Sequence, residues 1–480
     1  MRRNSSKAEF LALVTFLIGA TLVLTNGFSS RIFAQDEERA IFDKIEPIGE
    51  VLSEILENYV YTPDLDKAVE GALIGIMNSL DRNSSFIPAE GYQSMREDTE
   101  GEFNGIGVFI GFDEEGHVVV TQPVPDAPAA KAGLQAGDYI EGVDGVPIVD
   151  IISKSMTRNQ ALGAVSSRIK GPRGTNVQIT VSRAIDKESD SGEREEFAFN
   201  VKRGKIPLQS VLEARVLEGG IGYIRISDFK KNTASDVRKR LKDFGEGMNS
   251  LILDLRWNPG GLLNASREIC ELFLAKNTLV VSTRGREKTS GGFSEEMELY
   301  TEKLPLLPET MPLIVLVNEH SASSSEIVTG ALQYHQRALI VGEKTFGKGS
   351  VQTIIPLSRP RGSALRLTTA LYYTPSGVTI NSVGILPDVE SAMGRDTQEK
   401  LRGQMYRSYR EDITLRDRQN HGRITGNMED DAVQDTVLER AVEILREDAV
   451  FENLLKKYHR DVRETQVAAV DDKGGSPEGE

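Results

Sequence analysis

Between about Lys205 and Ser391 the chain alternates short apolar runs with segments of helical periodicity. These runs and segments lie at 221–226, 251–255, 262–274, 313–317, 327–334, 338–341 and 351–356. Such alternation predicts an α/β core with a mostly parallel sheet, because parallel neighbours need a crossover that is usually a helix. Functional sites of such sheets form at the carboxyl ends of the strands, so we expect the chemistry in the segments that follow the strands.

Composition excludes several classes of protein. The chain has 480 residues, of which 39% are hydrophobic and 27% charged, so it is neither mostly disordered nor a multi-span membrane protein. The net charge of −15, without a long basic run, argues against nucleic-acid binding. Cys270 is the one cysteine, which excludes an intramolecular disulfide framework and a cysteine-rich zinc site, and we expect it to be buried. The histidines form no HExxH motif, so a zincin is excluded as well.

The N-terminus is typical of an export signal. Arg2, Arg3 and Lys7 precede an uncharged, mainly apolar stretch at 11–24, and Ala34 fits the position before a cleavage site. An uncleaved membrane anchor remains the alternative, because the apolar stretch with its flanks is just long enough to span a bilayer. Both interpretations place the rest of the chain outside the cytoplasm, in the periplasm or on the extracytoplasmic face of the membrane.

Both ends of the chain contain predicted helices. Residues 41–80 carry apolar positions at helical spacing and are divided at Pro63, which predicts two helices that pack or form a homodimer. Near the other end, the composition of 395–430 predicts a solvated linker, and the periodicity of 431–459 predicts a helix. The tail at 471–480 has the composition of a disordered segment.

Residues 101–203 differ in character, with short β-like runs and glycine turns. The loop Gly105-Ile106-Gly107-Val108 enters an apolar run. Glycines let successive backbone N–H groups point into one concavity that holds a carboxylate, and the edge of the following strand accepts an extended peptide. The alternative is a small β-domain whose glycines only make turns. We expect the charged segment 186–196 to be a hairpin loop.

Four motifs in order make this region resemble a PDZ domain. The glycine loop is followed by the Ala-Gly-Leu-x-x-Gly-Asp-x-Ile segment at 132–140, by Val-Asp-Gly at 143–145 and by Gly-Pro-Arg-Gly-Thr at 171–175. The resemblance implies that Gly105, Ile106, Gly107 and Val108 bind substrates. These would be proteins or peptides with a free, apolar C-terminus.

Three glycine- or serine-rich segments follow strands of the predicted core. The first, Asp-Leu-Arg-Trp-Asn-Pro-Gly-Gly at 254–261, is either a simple turn or a source of free N–H groups for an anion. The second, at 321–326, contains Ser323 and Glu326 at the spacing of a helix capping box. A serine at a helix start is usually a cap, but helix N–H groups there also stabilise the negative charge of a nucleophile.

The third segment places a lysine between two glycines. Lys348 lies within Thr-Phe-Gly-Lys-Gly-Ser-Val-Gln at 345–352. A lysine in this setting is either an exposed turn residue or, aimed inward by the tight loop, a catalytic group. The sequence alone leaves both interpretations open.

Together with Leu-Thr-Thr-Ala-Leu-Tyr-Tyr-Thr-Pro-Ser-Gly at 367–377, the three segments resemble the C-terminal processing peptidases, or tail-specific proteases. These are serine peptidases with a Ser/Lys dyad and a preceding PDZ domain. The resemblance covers about residues 45–395 and implies a multidomain α+β protein with a crotonase- or ClpP-like core. The implied parts are a signal peptide or anchor at 1–35, a helical region at 36–100, a PDZ domain at 101–203, an α/β peptidase core at 204–395, and a linker, C-terminal helix and tail at 396–480.

The resemblance assigns catalytic roles by position. Ser323 would be the nucleophile, Lys348 the general base and Gln352 the residue that orients the lysine. Lys348 must then be uncharged at working pH, which requires burial to lower its pKa from about 10.4. His320 is the alternative base, although no aspartate partner for it is evident from the motifs.

The resemblance also assigns an oxyanion hole. Its donors would be the backbone N–H groups of Gly260 or Gly261 and of Ser324, the residue after the nucleophile. Trp257 is unusual at its place in the motif, and we expect it to line the substrate cleft.

Two functions are therefore compared. The first is an exported serine endopeptidase that recognises the C-terminal ends of proteins and cleaves nearby. The second is a catalytically inactive PDZ-containing scaffold. The presence of Ser323, Lys348 and the glycine turn favours the enzyme. No metal, nucleotide or flavin motif occurs, so we expect no cofactor.

Overall fold

The computed structural model describes residues 43–113, 115–153, 155–185, 193–286, 296–405, 433–447 and 449–457. The predicted signal or anchor lies outside these residues, as do most of the 186–196 loop and the 471–480 tail. None of the described helices is both long enough and apolar enough to cross a membrane. The chain divides into two compact units, one ending at Phe86 and one beginning at Ile87.

The first unit contains two helices, as predicted, α1 (43–58) and α2 (Leu65–Asn78). Pro63 lies in the turn that divides them, and the Asp64 carboxylate caps α2 by accepting a hydrogen bond from the N–H of Lys67 at 3.1 Å. Both helices expose large apolar side chains, among them Ile45, Ile48, Val51, Leu56, Ile74 and Ile76. The homodimer stays a prediction. Strand β1 (Ser85–Ile87) follows.

The first part of the second unit, which includes the predicted PDZ region, is built on an antiparallel sheet in the order β3-β4-β5-β7-β8, with β6 on β5. Its apolar core includes Val120, Val143 and Val177, and Val165 of α6 packs into it. The elements of this part are α3 (Ala89–Glu100), β2 (Glu102–Gly105), β3 (Val108–Phe112), β4 (Val118–Pro123), α4 (Pro128–Ala132), β5 (Tyr139–Val143), β6 (Val146–Pro147), α5 (Ile148–Ile151), α6 (Arg158–Ile169), β7 (Asn176–Ala184), β8 (Arg194–Lys202) and β9 (Gly204–Pro207).

The remaining part of this unit contains the predicted mostly parallel sheet. Its elements are β10 (Val211–Leu217), β11 (Ile221–Ile226), α7 (Thr233–Phe244), β12 (Ser250–Asp254), α8 (Leu263–Cys270), β13 (Leu279–Gly285), β14 (Met297–Tyr300), β15 (Leu313–Val317), α9 (Ser324–Tyr334), β16 (Leu339–Gly342), β17 (Ser350–Pro356), β18 (Ala364–Tyr373), β19 (Val389–Glu390), α10 (395–405), α11 (Thr436–Arg446) and α12 (449–457).

The core sheet has the order β10-β11-β12-β15-β16-β19. Strands β11, β12, β15, β16 and β19 run parallel, and β10 pairs antiparallel with β11. Side chains of α7, α8 and α9 form one apolar layer with the sheet, and those of α11 and α12 form another. Cys270 of α8 is buried, as predicted, and burial raises the pKa of its thiol.

The run at 351–356, which the alternation assigned to the core sheet, belongs to a different one. It forms β17, which pairs with β18, and β18 and β14 both pair with β13, all antiparallel. The reason is the connection, because only residues 343–349 link β16 to β17 and they contain no helix to make a parallel crossover.

Two further expectations need correction. The predicted linker at 395–430 begins with a helix, α10, in which Leu401 is buried and the Gln398 amide donates to Glu343 Oε2 at 2.8 Å. The single helix predicted at 431–459 is two, because Glu447 has an extended backbone at φ −124° and ψ 95° and ends α11.

Candidate active site

The three predicted segments start from one edge of the core sheet. Asp254 at the end of β12 is in register with Leu316 of β15, and Val317 at the end of β15 is in register with Gly342 of β16. Because the three strands are parallel, their carboxyl ends meet at this edge, as the alternation predicts. The three segments, which carry the glycine turn, Ser323 and Lys348, therefore start at neighbouring positions on this edge.

Direct hydrogen bonds tie the glycine turn to the serine segment. The N–H of Ala322 donates to the carbonyl oxygen of Asn258 at 3.0 Å, and the Ser325 hydroxyl donates to the same oxygen at 2.8 Å. The Ser324 hydroxyl donates to the carbonyl oxygen of Gly261 at 3.0 Å. The serine-rich composition of the second segment thus has a structural role in holding the two segments together.

The closest approach of the two segments is at Gly260. Its φ of 103° is in the region that favours glycine, and an added Cβ would lie 2.8 Å from the Cβ of Ser323 and 2.9 Å from the nitrogen of Ser324. No side chain fits in that space. Glycine is required at this position because the turn passes directly beside the predicted nucleophile.

Ser323 has an unusual backbone at the start of α9. Its φ is 54° and its ψ is −114°, and Ser323 is only 7% exposed. Non-glycine residues with positive φ are uncommon and cluster at functional sites. The serine precedes an 11-residue helix, so the positive end of the helix dipole lies beside it. The buried Tyr372 hydroxyl of β18 is hydrogen-bonded to the Ser323 side chain.

Glu326 connects the serine to the lysine loop. Its fully buried carboxylate accepts from the N–H of Ser323 at 2.8 Å and from the N–H of Lys348 at 2.9 Å, both through Oε2. Through Oε1 it accepts from the N–H of Gly347 and the hydroxyl of Thr345, both at 2.6 Å. The sequence predicted Glu326 only as a helix cap. Its contacts with a loop about twenty residues away had no sequence signal.

The Lys348 side chain is half-buried and its pKa lies below the ordinary value of 10.5. Burial is the main cause, and the positive charge of Arg366 adds to it, whereas Glu326 acts in the opposite direction. The following loop is tight, because a Cβ on Gly349 would lie 2.3 Å from the nitrogen of Asn381. A lysine with this lowered pKa is suited to act as a general base.

Lys348 faces a cavity of about 620 Å³ at the carboxyl edge of the sheet. Trp257 lies in its wall, as predicted, and so does His320, whose side chain is 53% exposed. The lining residues are Leu212, Ser227, Asp228, Trp257, Pro259, His320, Ala322, Phe346, Lys348 and Arg402. A cavity of this size with mixed apolar and polar walls is in the range of ligand-binding sites in proteins.

Of the predicted oxyanion donors, the backbone N–H of Gly260 is already hydrogen-bonded. It donates to the side-chain oxygen of Asn258 at 2.9 Å. The N–H groups of Gly261 and Ser324 make no hydrogen bond to any residue that the structure describes. Gly261 and Ser324 are therefore the donors available for a developing negative charge.

The Gln352 side chain is hydrogen-bonded within its own strand. Its side-chain nitrogen donates to the Ser350 hydroxyl at 2.7 Å. The two residues lie on β17, where a shift in register between Val351 and Gln352 interrupts the ladder. A role of Gln352 in orienting Lys348 stays a prediction.

The four residues predicted to bind peptides, at 105–108, do not all lie in one loop. Gly105 is in β2, paired with Gly204 of β9, and does not belong to the loop itself. Gly107, with φ 73°, makes the turn, and its carbonyl accepts from the N–H of Val124 at 2.9 Å. Ile106 is buried. Val108 begins β3, which is an edge strand of the sheet as described.

One group in the described chain has metal-ligand spacing. The ligand atoms of Asp113, Glu115 and His117 lie within 4.8 Å of one another beside the turn between β3 and β4. Glu115 and His117 are exposed, and His117 Nδ1 is hydrogen-bonded to Asp113 at 3.0 Å. An exposed group of this kind is ordinary surface chemistry and is unrelated to the cavity that contains Lys348.

Two family profiles match this chain. The profile of Peptidase family S41 matches residues 220–391, and that of the PDZ domain matches residues 119–183. The carboxy-terminal-processing protease of Bartonella bacilliformis is 37% identical over 431 residues, which are 88% of this chain and 89% of that protein.

Two further relatives extend the comparison. The probable CtpA-like serine protease of Staphylococcus haemolyticus is 33% identical over 390 residues, which are 80% of this chain and 71% of that protein. The carboxy-terminal processing protease CtpA of Bacillus subtilis is 30% identical over 393 residues, which are 82% of this chain and 78% of that protein. With a PDZ domain and a peptidase core both matched, the chain belongs to the carboxy-terminal processing proteases of peptidase family S41, which are serine-type peptidases.

Proposed function

We propose that this peptidase hydrolyses peptide bonds with Ser323 as nucleophile and Lys348 as general base. The observation that carries the proposal is the Glu326 carboxylate, which holds the backbone of both residues within hydrogen-bonding distance of one group. The lowered pKa of Lys348 supports it, because a partly desolvated lysine gives up its proton more readily. The Glu319 carboxylate lies 3.9 Å from Nε2 of the half-exposed His320, which is beyond hydrogen-bonding distance.

Acylation needs two proton transfers. Neutral Lys348 takes the proton of the Ser323 hydroxyl as its oxygen attacks the carbonyl carbon of the substrate. The N–H groups of Gly261 and Ser324 stabilise the charge that develops on the carbonyl oxygen. The lysine ammonium then donates its proton to the leaving amine. Water then attacks the acyl-enzyme with Lys348 again as base, and the lysine ammonium returns the proton to the Ser323 oxygen as the new C-terminus is released.

Four variants of the full chain test this assignment with an unfolded reporter protein as substrate. Ser323→Ala and Lys348→Ala should remove proteolysis, and Lys348→Arg should be nearly as inactive because arginine stays protonated at usable pH. His320→Ala should retain most activity. Loss of activity in His320→Ala together with an active Lys348→Arg would assign the base to the histidine.

We also propose that the PDZ domain selects substrates by their free C-terminus. The turn at Gly107 precedes the edge strand β3, which offers its backbone to an extended peptide. Backbone N–H groups in such a turn favour a carboxylate. Strand addition would place the last side chain of the peptide against the apolar core of the domain.

Export is a further part of the proposal. It rests on the basic residues and apolar stretch at the N-terminus, which precede a folded enzyme. Expression of the full chain and of a chain lacking residues 2–34, followed by cell fractionation, tests it. We expect the full chain outside the cytoplasm and the shortened chain inside. Equal distributions would contradict export, and the mass of the exported protein distinguishes cleavage from anchoring.

A further inference from the structure

A buried ionic cluster lies directly before the glycine turn. Asp254 and Arg256 are 0% and 2% exposed. The Arg256 guanidinium donates to both oxygens of Asp254 through Nε, at 3.0 and 3.1 Å, and through Nη2 at 2.6 Å. The Tyr223 hydroxyl donates to Asp254 at 2.7 Å. One carboxylate therefore holds one side of the guanidinium fork.

The other side of the fork is held by a residue from the far end of the chain. Arg256 Nη1 and Nη2 donate to the two oxygens of Asp435 at 2.8 and 2.7 Å, across 179 residues of sequence. The Asp435 side chain is 13% exposed. This two-point contact is the strong geometry for an arginine and a carboxylate.

Asp435 is also where the C-terminal helix α11 begins. Its Oδ1 accepts from the N–H of Leu438 at 3.0 Å and so caps the helix. The apolar face of α11 packs on the core sheet through Val437, Ala441, Ile444 and Leu445. Docking of α11 on the sheet thus delivers one carboxylate to one buried guanidinium.

Arg256 directly precedes the turn at 257–261, which contains Gly261 of the proposed oxyanion hole. It is followed by Trp257, whose φ is 59° and whose ring centre lies 5.4 Å from the Arg256 guanidinium carbon. The N–H of Trp257 donates to the side chain of Asn318 at 2.9 Å, and Asn258 and Gly261 follow in the turn. A displaced guanidinium would therefore move the first residues of the turn.

We propose that Asp435 is a positioning residue for peptide-bond hydrolysis, fixing the turn at 257–261 through Arg256. Without this carboxylate, two donors of a buried guanidinium lose their acceptor, and the side chain must move to find another. The turn then no longer holds its N–H groups at the distance that the developing charge requires. The C-terminal helix is in this way part of the catalytic apparatus although no atom of it need touch the substrate.

The proposal rests on the Ser323 chemistry proposed above, and one variant separates it from that chemistry. Asp435→Asn keeps the size of the side chain and caps a helix as well as aspartate does, so any loss reflects the ionic contact. We expect it to lower kcat of the full-length enzyme about ten- to hundred-fold with KM within about two-fold. Asp435→Glu keeps the charge and should recover most of kcat.

The matched control is Glu439→Gln, which removes the same charge from an exposed position in the first turn of the same helix. It should leave kcat unchanged. A second readout is independent of activity, because Trp257 is the one tryptophan of the chain and is 8% exposed. Its fluorescence emission should shift to longer wavelength in Asp435→Asn and stay at the wild-type position in the control.

Three results would overturn the proposal. They are a kcat of Asp435→Asn within two-fold of wild type, a rise in KM alone, or an equal loss in the Glu439→Gln control. If Asp435→Asn fails to fold, Arg256→Lys decides in its place, because lysine cannot bridge two carboxylates with a planar fork and must also lower kcat at unchanged KM. Retained proteolysis in Ser323→Ala would contradict the proposed function, whereas the fluorescence shift would still test the positioning role.

Discussion

At the scale of the residue, one buried carboxylate connects the residues of the proposed active site. Glu326 accepts four hydrogen bonds, which come from the serine, the lysine and two residues of the lysine loop. An ionised carboxylate with only acceptor oxygens matches four donors without conflict. The capping box that the sequence predicts at Ser323 and Glu326 is thus compatible with the proposed role of Ser323, because the same glutamate caps the helix and binds the lysine loop.

Glu326→Gln should impair both activity and stability. The amide group replaces one acceptor oxygen with a donor, so two of the four donors lose their partner, at about 1–3 kcal/mol for each. We expect kcat to fall at least about 10²-fold through displacement of the serine and the lysine loop. Steady-state kinetics and urea unfolding measure the two effects.

The same substitution should also shift the pH profile. Glu326 raises the pKa of Lys348, so its neutralisation should move the ascending limb of kcat to lower pH. Glu319→Gln, which removes a half-exposed charge from the adjoining loop, is the control. Wild-type kcat in Glu326→Gln would contradict the role of this residue.

At the scale of the element, a second buried carboxylate joins strand to helix. Asp388 precedes β19 and accepts from the N–H of Ile340 on β16 at 2.7 Å and from the Gln333 amide of α9 at 2.9 Å. Burial raises the pKa of Asp388 from 3.8 to about 6, although both hydrogen bonds oppose the shift. The native state therefore holds a proton that the unfolded chain releases.

This shift has a defined sign. Between pH 3.8 and about 6 the native state binds more protons than the unfolded chain, so Asp388 destabilises the fold as the pH rises across that window. The shift corresponds to roughly 2–4 kcal/mol, fully present above pH 6. Asp388→Asn cannot titrate, so its urea midpoint relative to wild type should increase between pH 4 and 7.

A difference between Asp388→Asn and wild type that stays constant from pH 4 to 7 would show that the pKa of Asp388 is the same in the native state as in the unfolded chain.

The edge strand β3 gives a prediction for substrate selection. Full-length Ser323→Ala, which should bind without cleaving, should bind a peptide with a free apolar C-terminus more tightly than the same peptide amidated at its end. Amidation removes the charge that assists hydrogen bonds from the loop, and each such bond contributes about 1.5–3 kcal/mol. Calorimetry on the peptide pair measures the difference, and equal affinities would contradict recognition of the terminus.

Elements also show how far the sequence alone leads. The parallel strands and the segments at their ends were predictable, because buried apolar runs and glycine turns leave a local pattern. The pairing of β17 in another sheet was not predictable, because the partner of a strand depends on its connection and on distant residues. The C-terminal helical segment breaks at Glu447, where the backbone is extended, and no glycine or proline near this position predicts the break.

At the scale of the whole molecule, long-range contacts complete the site. The residues that a motif names were found in the sequence, whereas the contacts that hold them in place were not. Tyr372 reaches Ser323 from β18, and Asp435 reaches Arg256 from the C-terminal helix. Neither has a fixed spacing to its partner, so only the folded chain shows the contact.

The architecture also assigns a task to each part of the second unit. The antiparallel sheet presents an edge strand and a glycine turn, and the parallel sheet presents three segments at one edge. Strand β9, which pairs with β2 ahead of the glycine turn, continues directly toward β10 of the core. The PDZ domain and the peptidase core are thus connected by a short length of chain.

The central claim, that Ser323 is activated by a neutral Lys348, is tested most directly by the rate at which a fluorophosphonate modifies the protein as a function of pH. Mass spectrometry of the labelled full-length enzyme should place the adduct on Ser323. The rate should rise with pH through a lysine pKa below 10.5, because burial lowers it, and His320→Ala should show the same profile. Lys348→Arg should react very slowly at every pH, and an adduct on another residue, or a wild-type rate in Lys348→Arg, would contradict the account.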